Sequence, residues 1–471
     1  MAQDFATEWL WTYNNDRPNM GIGGITPAQK LKTAAEFHES TPLEMGDYRR
    51  TGTNPTHNSS LNHRVTCRNP TAGKSPRCDL EQGLCMHPSR AISLEPPFSA
   101  LPEIFFPRRT GRGVHMLFEG RRVGYSFNTR VAIRRACDLL GIGPGTEVLA
   151  PAYNCGSEID PLRQAGASVR LYPVDRRAQI DPDAVERMIG STTRAIYLTH
   201  YFGFLQPEMA ALRSICDRHG LALIEDRALS LLSGSPPAGG LVGDVAVFCF
   251  YKFLPVIKGG ALVVNNPLLT GPGEFHRPPP TSMIAKQLVR RTLGGLPGTR
   301  YARAAARWVK RRSGTASASG HDAPHPDIPS NYYFDPDLRD TAIARMTMKT
   351  LATIDVDAVI RRRRQNYLAL RDLLRGVKGL TLVGEDLPPG TCPLGLPILV
   401  EDRASVLAAL DQRGISTSPW WSGYHRDMSW DGCVDACYLK DRVIVLPVHQ
   451  ALEVDDMSYI AKHLAEILNA S

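Results

Sequence analysis

Gly243-Asp-Val-Ala-Val-Phe-Cys-Phe-Tyr-Lys252, followed by Gly259-Gly-Ala-Leu-Val-Val264, decides how this chain folds. Each apolar run is short, continuous and rich in β-branched and aromatic side chains, as a strand buried on both faces must be. Working back from it, the same kind of run occurs at Leu223-Ile-Glu-Asp226, Ala195–Thr199, Ser168–Tyr172 and Val148–Ala150. Segments with helical spacing lie between them: Pro207–His219, Asp181–Ile189 with Pro182 at its start, Glu158–Ala165 and Val131–Leu140. Apolar strands alternating with amphipathic helices predict an α/β fold, with a mostly parallel sheet covered on both sides.

Outside this block the rhythm changes. Residues 266–330 are rich in Pro, Gly, Arg and Lys and end in low-complexity sequence, which reads as a basic insertion or linker. Residues 331–471 read as a smaller α+β unit, with a long helix through Arg361–Arg364, strands at Leu396–Val400 and Val443–Pro447, and helices at Ala404–Arg413 and Val454–Leu468. Upstream, residues 36–90 are polar and turn-rich and predict a disordered junction. Residues 1–35 read as a short helical piece with a Trp9, Trp11, Tyr13 cluster. The expected division is therefore 1–35, 36–90, 91–265, 266–330 and 331–471.

The composition, with 43% hydrophobic and 22% charged residues among 471, excludes a wholly disordered chain, a collagen and a coiled coil. The net charge of +8 is localised: 266–330 carries +7 of it and 1–90 carries +1. A DNA-binding module at the N-terminus would be clearly basic, so no nucleic-acid partner is expected. Within 284–312, Tyr301, Ala305, Trp308 and Val309 follow helical spacing between arginines, which suits either a solvated insertion or docking on an anionic membrane surface. Arg361–Arg364 reads as a solvated helix face, with binding of a substrate phosphate as the alternative. No apolar run is long enough to span a membrane and no leader pattern opens the chain, so a cytoplasmic protein is expected, membrane-peripheral if 284–312 docks. The ten cysteines form no zinc pattern, and no metal is expected.

Three motifs carry chemistry. Asp226 ends an apolar strand, where α/β proteins place ligand contacts; a solvated strand end is the alternative. Lys252 directly follows another strand, where partial burial would lower its pKa and make it a nucleophilic amine; a snorkelling lysine is the alternative. Ser126-Phe-Asn-Thr129-Arg130 opens a helix, offering amides and a hydroxyl to a phosphate or else serving as an ordinary cap. A phosphate cradle, a strand-end aspartate and a strand-end lysine, in that order, are what pyridoxal phosphate requires.

Residues 91–471 resemble the DegT/DnrJ/StrS sugar aminotransferases, of the fold-type-I pyridoxal-phosphate class. The resemblance rests on Leu139-Leu-Gly-Ile-Gly-Pro-Gly-Thr-Glu-Val-Leu-Ala-Pro151, Ala165-Gly-Ala through Pro173-Val-Asp175, Ile180-Asp-Pro-Asp-Ala, Thr193-Arg-Ala-Ile, His200-Tyr-Phe-Gly203, Ile224-Glu-Asp226 and Gly243-Asp244. It implies a large seven-stranded domain with a smaller C-terminal one. It makes Lys252 the Schiff-base lysine, Asp226 the partner of the ring nitrogen, and Thr129 a phosphate ligand, with Arg130 and His200 beside the cofactor. Asn331 corresponds to an asparagine that reaches a phosphate across a homodimer interface. The sequence departs from the family at several points: Lys258 is a rival lysine, Cys249 replaces a phosphate-binding serine, Leu229 replaces Gln or His, and Arg227 intrudes beside Asp226. The ring-stacking position falls to Tyr153 or Cys155. The implied activity is transfer of an amino group from an amino acid such as glutamate to a keto-sugar, nucleotide-linked, in surface-polysaccharide or secondary-metabolite synthesis. A degenerate member, or another pyridoxal-phosphate reaction such as sugar dehydration, is the alternative; retention of Lys252 speaks against dehydration.

A second resemblance lies at Glu8-Trp-Leu-Trp-Thr-Tyr-Asn-Asn-Asp-Arg-Pro-Asn19 and Gly23-Gly-Ile-Thr-Pro-Ala-Gln-Lys-Leu31, which look like the last segment of an insertion-sequence transposase with an integrase-like core. None of that family's catalytic acids is present. The stretch implies a relic of an insertion or a misplaced start codon, and leaves a transposase-derived nucleic-acid-binding protein as the alternative from outside the enzymes.

Overall fold

A computed structural model describes residues 92–96, 113–271, 273–294 and 325–470. The transposase-like stretch, the 36–90 junction and most of the 284–312 segment lie outside the described residues. Among the described residues no helix is long and apolar enough to cross a membrane.

The strands of the large sheet are β1 (Arg122–Ser126), β2 (Glu147–Pro151), β3 (Ser168–Tyr172), β4 (Thr193–Thr199), β5 (Ala222–Asp226), β6 (Val245–Cys249) and β7 (Gly260–Val264). Their spatial order is β1-β7-β6-β5-β4-β2-β3. Pairings from β3 through β6 are parallel, while β6–β7 and β7–β1 are antiparallel. Every residue of β6 and β7 is buried, as their unbroken apolar runs require. The intervening helices are α1 (Thr129–Leu140), α2 (Ile159–Gln164), α3 (Pro182–Arg187) and α4 (Met209–His219). The expected mostly parallel seven-stranded sheet is therefore present, and the strand missed by sequence reading is β1. Its Arg122-Val-Gly-Tyr-Ser126 is polar and half exposed along one face, so it lacks the continuous apolar signal of its neighbours.

Downstream come α5 (Thr281–Gly294), α6 (Arg345–Thr353), α7 (Val356–Leu374), β8 (Leu380–Leu382), β9 (Leu396–Val400), α8 (Arg403–Gln412), α9 (Val434–Arg442), β10 (Val443–Leu446) and α10 (Val454–Asn469). β10, β9 and β8 form a small antiparallel sheet. Its core joins Ile398, Leu446 and Val448 to Leu370 of α7 and Leu464 of α10.

Arg363 overturns the reading of Arg361–Arg364 as a solvated face. It is fully buried, donating to the carbonyls of Pro393, Leu394 and Phe253 and to Gln450 Oε1. The helix turns Arg361 and Arg362 outward while Arg363 projects inward, where four acceptors take its planar fork. Arg364 in turn donates to the carbonyls of Pro388 and Thr391.

Candidate functional site

The parallel strands β5 and β6 and the start of α1 converge on one cavity of about 400 Å³. Asp226, Cys249, Lys252, Thr129 and Arg130 all line it, so the three motifs separated in sequence meet in one place.

Alternation along β5 selects between its two acids. Asp226 faces the cavity, and its carboxylate accepts the Tyr197 hydroxyl (2.7 Å) and the Ala228 amide (2.7 Å). Glu225 turns to the opposite face, where it pairs with buried Arg227 (2.5 Å) and accepts the amides of Val242 and Gly243. The arginine that appeared to intrude beside Asp226 thus belongs to the other side of the sheet. Burial, and secondarily the Glu158 charge, push the Asp226 carboxyl up to about 6. Asp226 is a buried carboxylate on the wall of the cavity.

His200, expected beside the cofactor, does not line the cavity. It is fully buried against Glu225 (3.1 Å), with Nδ1 accepting the Gln206 amide (2.9 Å), and burial lowers its pKa. It braces the far face of β5 instead. Gly243-Asp244 is also structural: Asp244 accepts from Leu223 N, Arg213 and Asn266, joining β5 to α4 and to the chain after β7.

Lys252 lies just past β6, with its Nζ 6.0 Å from the centre of the Trp421 ring. Its pKa is raised, not lowered as sequence reading expected. Burial alone would lower it, but the charge of the neighbouring acidic groups, the carboxylates of Asp226 and Glu158 among them, outweighs burial. Lys258 also lines the cavity, with its Nζ 5.0 Å from the Tyr251 ring.

At the start of α1, Asn128 caps the helix by accepting the Val131 amide (3.1 Å). Thr129 donates its hydroxyl to the Phe248 carbonyl (3.1 Å). What Thr129 and Arg130 offer the cavity is therefore the first-turn amides, which have no acceptor within the helix, and the helix dipole. Gly260 permits this placement, because a Cβ there would lie 2.8 Å from Thr129 N.

The ring-stacking candidates separate. Cys155 lines the cavity, whereas Tyr153 sits behind the wall, its hydroxyl donating to the Trp420 carbonyl (3.2 Å) and its ring 5.3 Å from that of Trp421. Cys155 donates to Glu158 (2.7 Å), and burial pushes its thiol up to about 12, so it is a neutral group there. Asn331 lines the cavity of its own chain, its carbonyl accepting from Arg130 (2.8 Å).

Trp420, Trp421, Glu158 and Tyr332 also line the cavity and were missed in the sequence. Two adjacent tryptophans between Ser418-Pro419 and Ser422-Gly423 were the available signal: such a bulky pair in a turn must pack on something. Among the described residues, no His/Cys/Asp/Glu cluster has the arrangement of a metal site.

Residues 127–272 match the model of the DegT/DnrJ/EryC1/StrS aminotransferase family. Curated relatives include GDP-perosamine synthase of Vibrio cholerae, 33% identical over 144 residues (30% of this chain, 38% of that protein). Another is dTDP-3-amino-3,4,6-trideoxy-alpha-D-glucose transaminase of Streptomyces venezuelae, 37% identical over 145 residues (29% and 38%). The chain thus spans 38% of the length of each of these relatives. Among solved structures, the aminotransferase TlmJ from Streptoalloteichus hindustanus superposes with a TM-score of 0.57 at 20% identity, covering 81% of this chain and 100% of that one. Spr1654 from Streptococcus pneumoniae, in its PLP-form, superposes with a TM-score of 0.56 at 15% identity, covering 81% and 99%. The fold is that of the fold-type-I pyridoxal-phosphate-dependent transferases.

Proposed function

We propose that this chain is a pyridoxal-phosphate-dependent aminotransferase that moves an amino group from an amino acid to a keto-sugar. The observation that carries the reading is the convergence of Asp226, Lys252 and the α1 N-terminus on one cavity. The family match of residues 127–272 and the sugar-modifying relatives support it.

The residues fit the cofactor. The α1 amides and dipole suit its phosphate, Asp226 suits a protonated ring nitrogen, and Lys252 suits its aldehyde. When bound, pyridoxal phosphate supplies an aldehyde that exchanges amines and a ring that accepts the electrons left as a Cα proton departs. The chain's own groups do the rest. The Asp226 carboxylate, fixed by Tyr197 and Ala228, keeps a proton on its ring partner. At Lys252 Nζ the surrounding acids outweigh burial, so the free lysine is held as an ammonium. A lysine at this position would act as the proton carrier once its proton has been given up. Trp420, Trp421 and Ile328 wall the cavity.

Glutamate as donor, a nucleotide-linked acceptor, a role in surface-polysaccharide or secondary-metabolite synthesis and a homodimer with shared sites complete the proposal. The transposase-like stretch plays no part in it.

The test is to add pyridoxal phosphate to the purified chain, reduce with borohydride and map the pyridoxyl label. Label is expected on Lys252, absent in Lys252→Ala and retained in Lys258→Ala. Label on Lys258 would reassign the lysine, and no label in the wild type would sink the proposal.

A further inference from the structure

Lys440, in α9, is fully buried and takes no part in the chemistry above. An ammonium has three N–H donors. Those of Lys440 reach the carbonyls of Asn154 (2.6 Å), Gly423 (2.8 Å) and Trp421 (3.1 Å). The Tyr424 and Trp430 rings lie 4.9 and 5.1 Å from its Nζ. The three acceptors come from two separate walls of the cavity. Asn154 precedes Cys155 in the turn after β2, while Trp421 and Gly423 belong to the loop that carries the two indoles.

Burying a cation is costly unless its donors are met, and here three carbonyls meet all three. Trp421 also needs holding, since its backbone adopts φ +59°, a left-handed conformation unfavourable for a bulky residue. Its carbonyl is one that Lys440 grips, and its indole is the one facing Lys252. Burial lowers the Lys440 pKa to about 8, so at neutral pH the group stays largely charged.

We infer that Lys440 is a positioning residue whose ammonium ties the Asn154–Cys155 turn to the Trp421–Gly423 loop and so holds the indole wall of the cavity closed over Lys252. Two neutral ties run in parallel, from Trp430 Nε1 to the Ala152 carbonyl (2.7 Å) and from the Tyr153 hydroxyl to the Trp420 carbonyl. Loss of Lys440 therefore loosens the wall without parting it. The consequence for turnover rests on the proposed aminotransferase reading; the tie itself does not.

The experiment compares full-length wild type with Lys440→Met, both without cofactor, by the rate at which a maleimide labels individual cysteines, followed by mass spectrometry. Cys155 lines the wall, and Cys216 is buried in α4, away from it. Lys440→Met is expected to label at Cys155 about tenfold faster, the effect of losing a charge-assisted hydrogen bond that keeps the wall shut, with Cys216 unchanged. An unchanged Cys155 rate would overturn the inference. So would equal acceleration at Cys155 and Cys216, which would make Lys440 a general fold residue. If Lys440→Met does not fold, Lys440→Gln, which keeps two donors, carries the same comparison. A wild type that takes no pyridoxyl label at Lys252 would remove the catalytic reading and leave this result standing.

Discussion

Glu225 and Asp226 are consecutive, yet they project to opposite faces of the central sheet: Glu225 to Arg227 at 2.5 Å, Asp226 to Tyr197 at 2.7 Å on the cavity side. One acid is held ionised by the buried Arg227 guanidinium and the His200 hydrogen bond, while burial makes the other easier to protonate. Their opposite shifts, to about 2 and about 6, make opposite predictions.

Asp226 has a folded pKa of about 6, above the unfolded value near 3.9. Between those values the native state binds more protons than the unfolded one, so this group costs stability as pH rises through the window. Asp226→Asn cannot titrate. Without cofactor it should gain on the order of 2–3 kcal/mol relative to wild type between pH 4 and pH 7, by denaturant melts at each pH. Equal stability differences at both values would contradict the burial argument.

Glu225 behaves in the reverse sense. Burial alone would raise its pKa, but the His200 hydrogen bond and the Arg227 charge hold it at about 2. Its stabilisation is full above the unfolded value and is lost as pH falls toward 2. Glu225→Gln should cost about 3–5 kcal/mol at pH 7 by stranding the Arg227 guanidinium. The gap from wild type should narrow as the pH drops below about 4.

Gly260 holds the α1 N-terminus against the sheet, and a Cβ there would meet Thr129 N at 2.8 Å and the Asn128 carbonyl carbon at 2.9 Å. Both are backbone atoms, so the helix must shift. Gly260→Ala should cost about 1–3 kcal/mol and weaken pyridoxal phosphate binding more than it weakens the fold. Fluorescence titration set beside a thermal melt separates the two effects.

Arg363 and Arg361 differ by two positions and by everything else. Arg363→Met strands the carbonyls of Pro393 and Leu394 and leaves the Phe253 carbonyl with Gln450 Nε2 alone, and should cost about 3 kcal/mol or more. Arg361→Ala, on the exposed side of α7, should stay within about 0.5 kcal/mol. Equal melting temperatures for the two variants would argue against the buried fork.

The sheet was legible because burial on both faces demands unbroken apolar runs, and those are visible one residue at a time. β6 and β7 appear almost residue for residue. β1 was not legible, since one half-exposed edge strand resembles a loop. The site was legible as types and order: a strand-end acid, a strand-end lysine and a capped helix. What hid was direction. His200 appears among residues that match the family motif, yet it points away from the cavity. Arg363 appears among surface arginines, yet it points inward.

The sequence by itself determined which elements form and which residues stand at their ends, because periodicity and capping act within a few residues. Only the tertiary structure decided which of two adjacent acids meets the cavity and which way the Lys252 pKa moves. The same holds for Lys440, which reaches the Asn154 carbonyl 286 residues away along the chain. Those outcomes depend on charges and carbonyls brought together from distant segments, and electrostatic shifts in a buried cavity are set by neighbours in space, not in order.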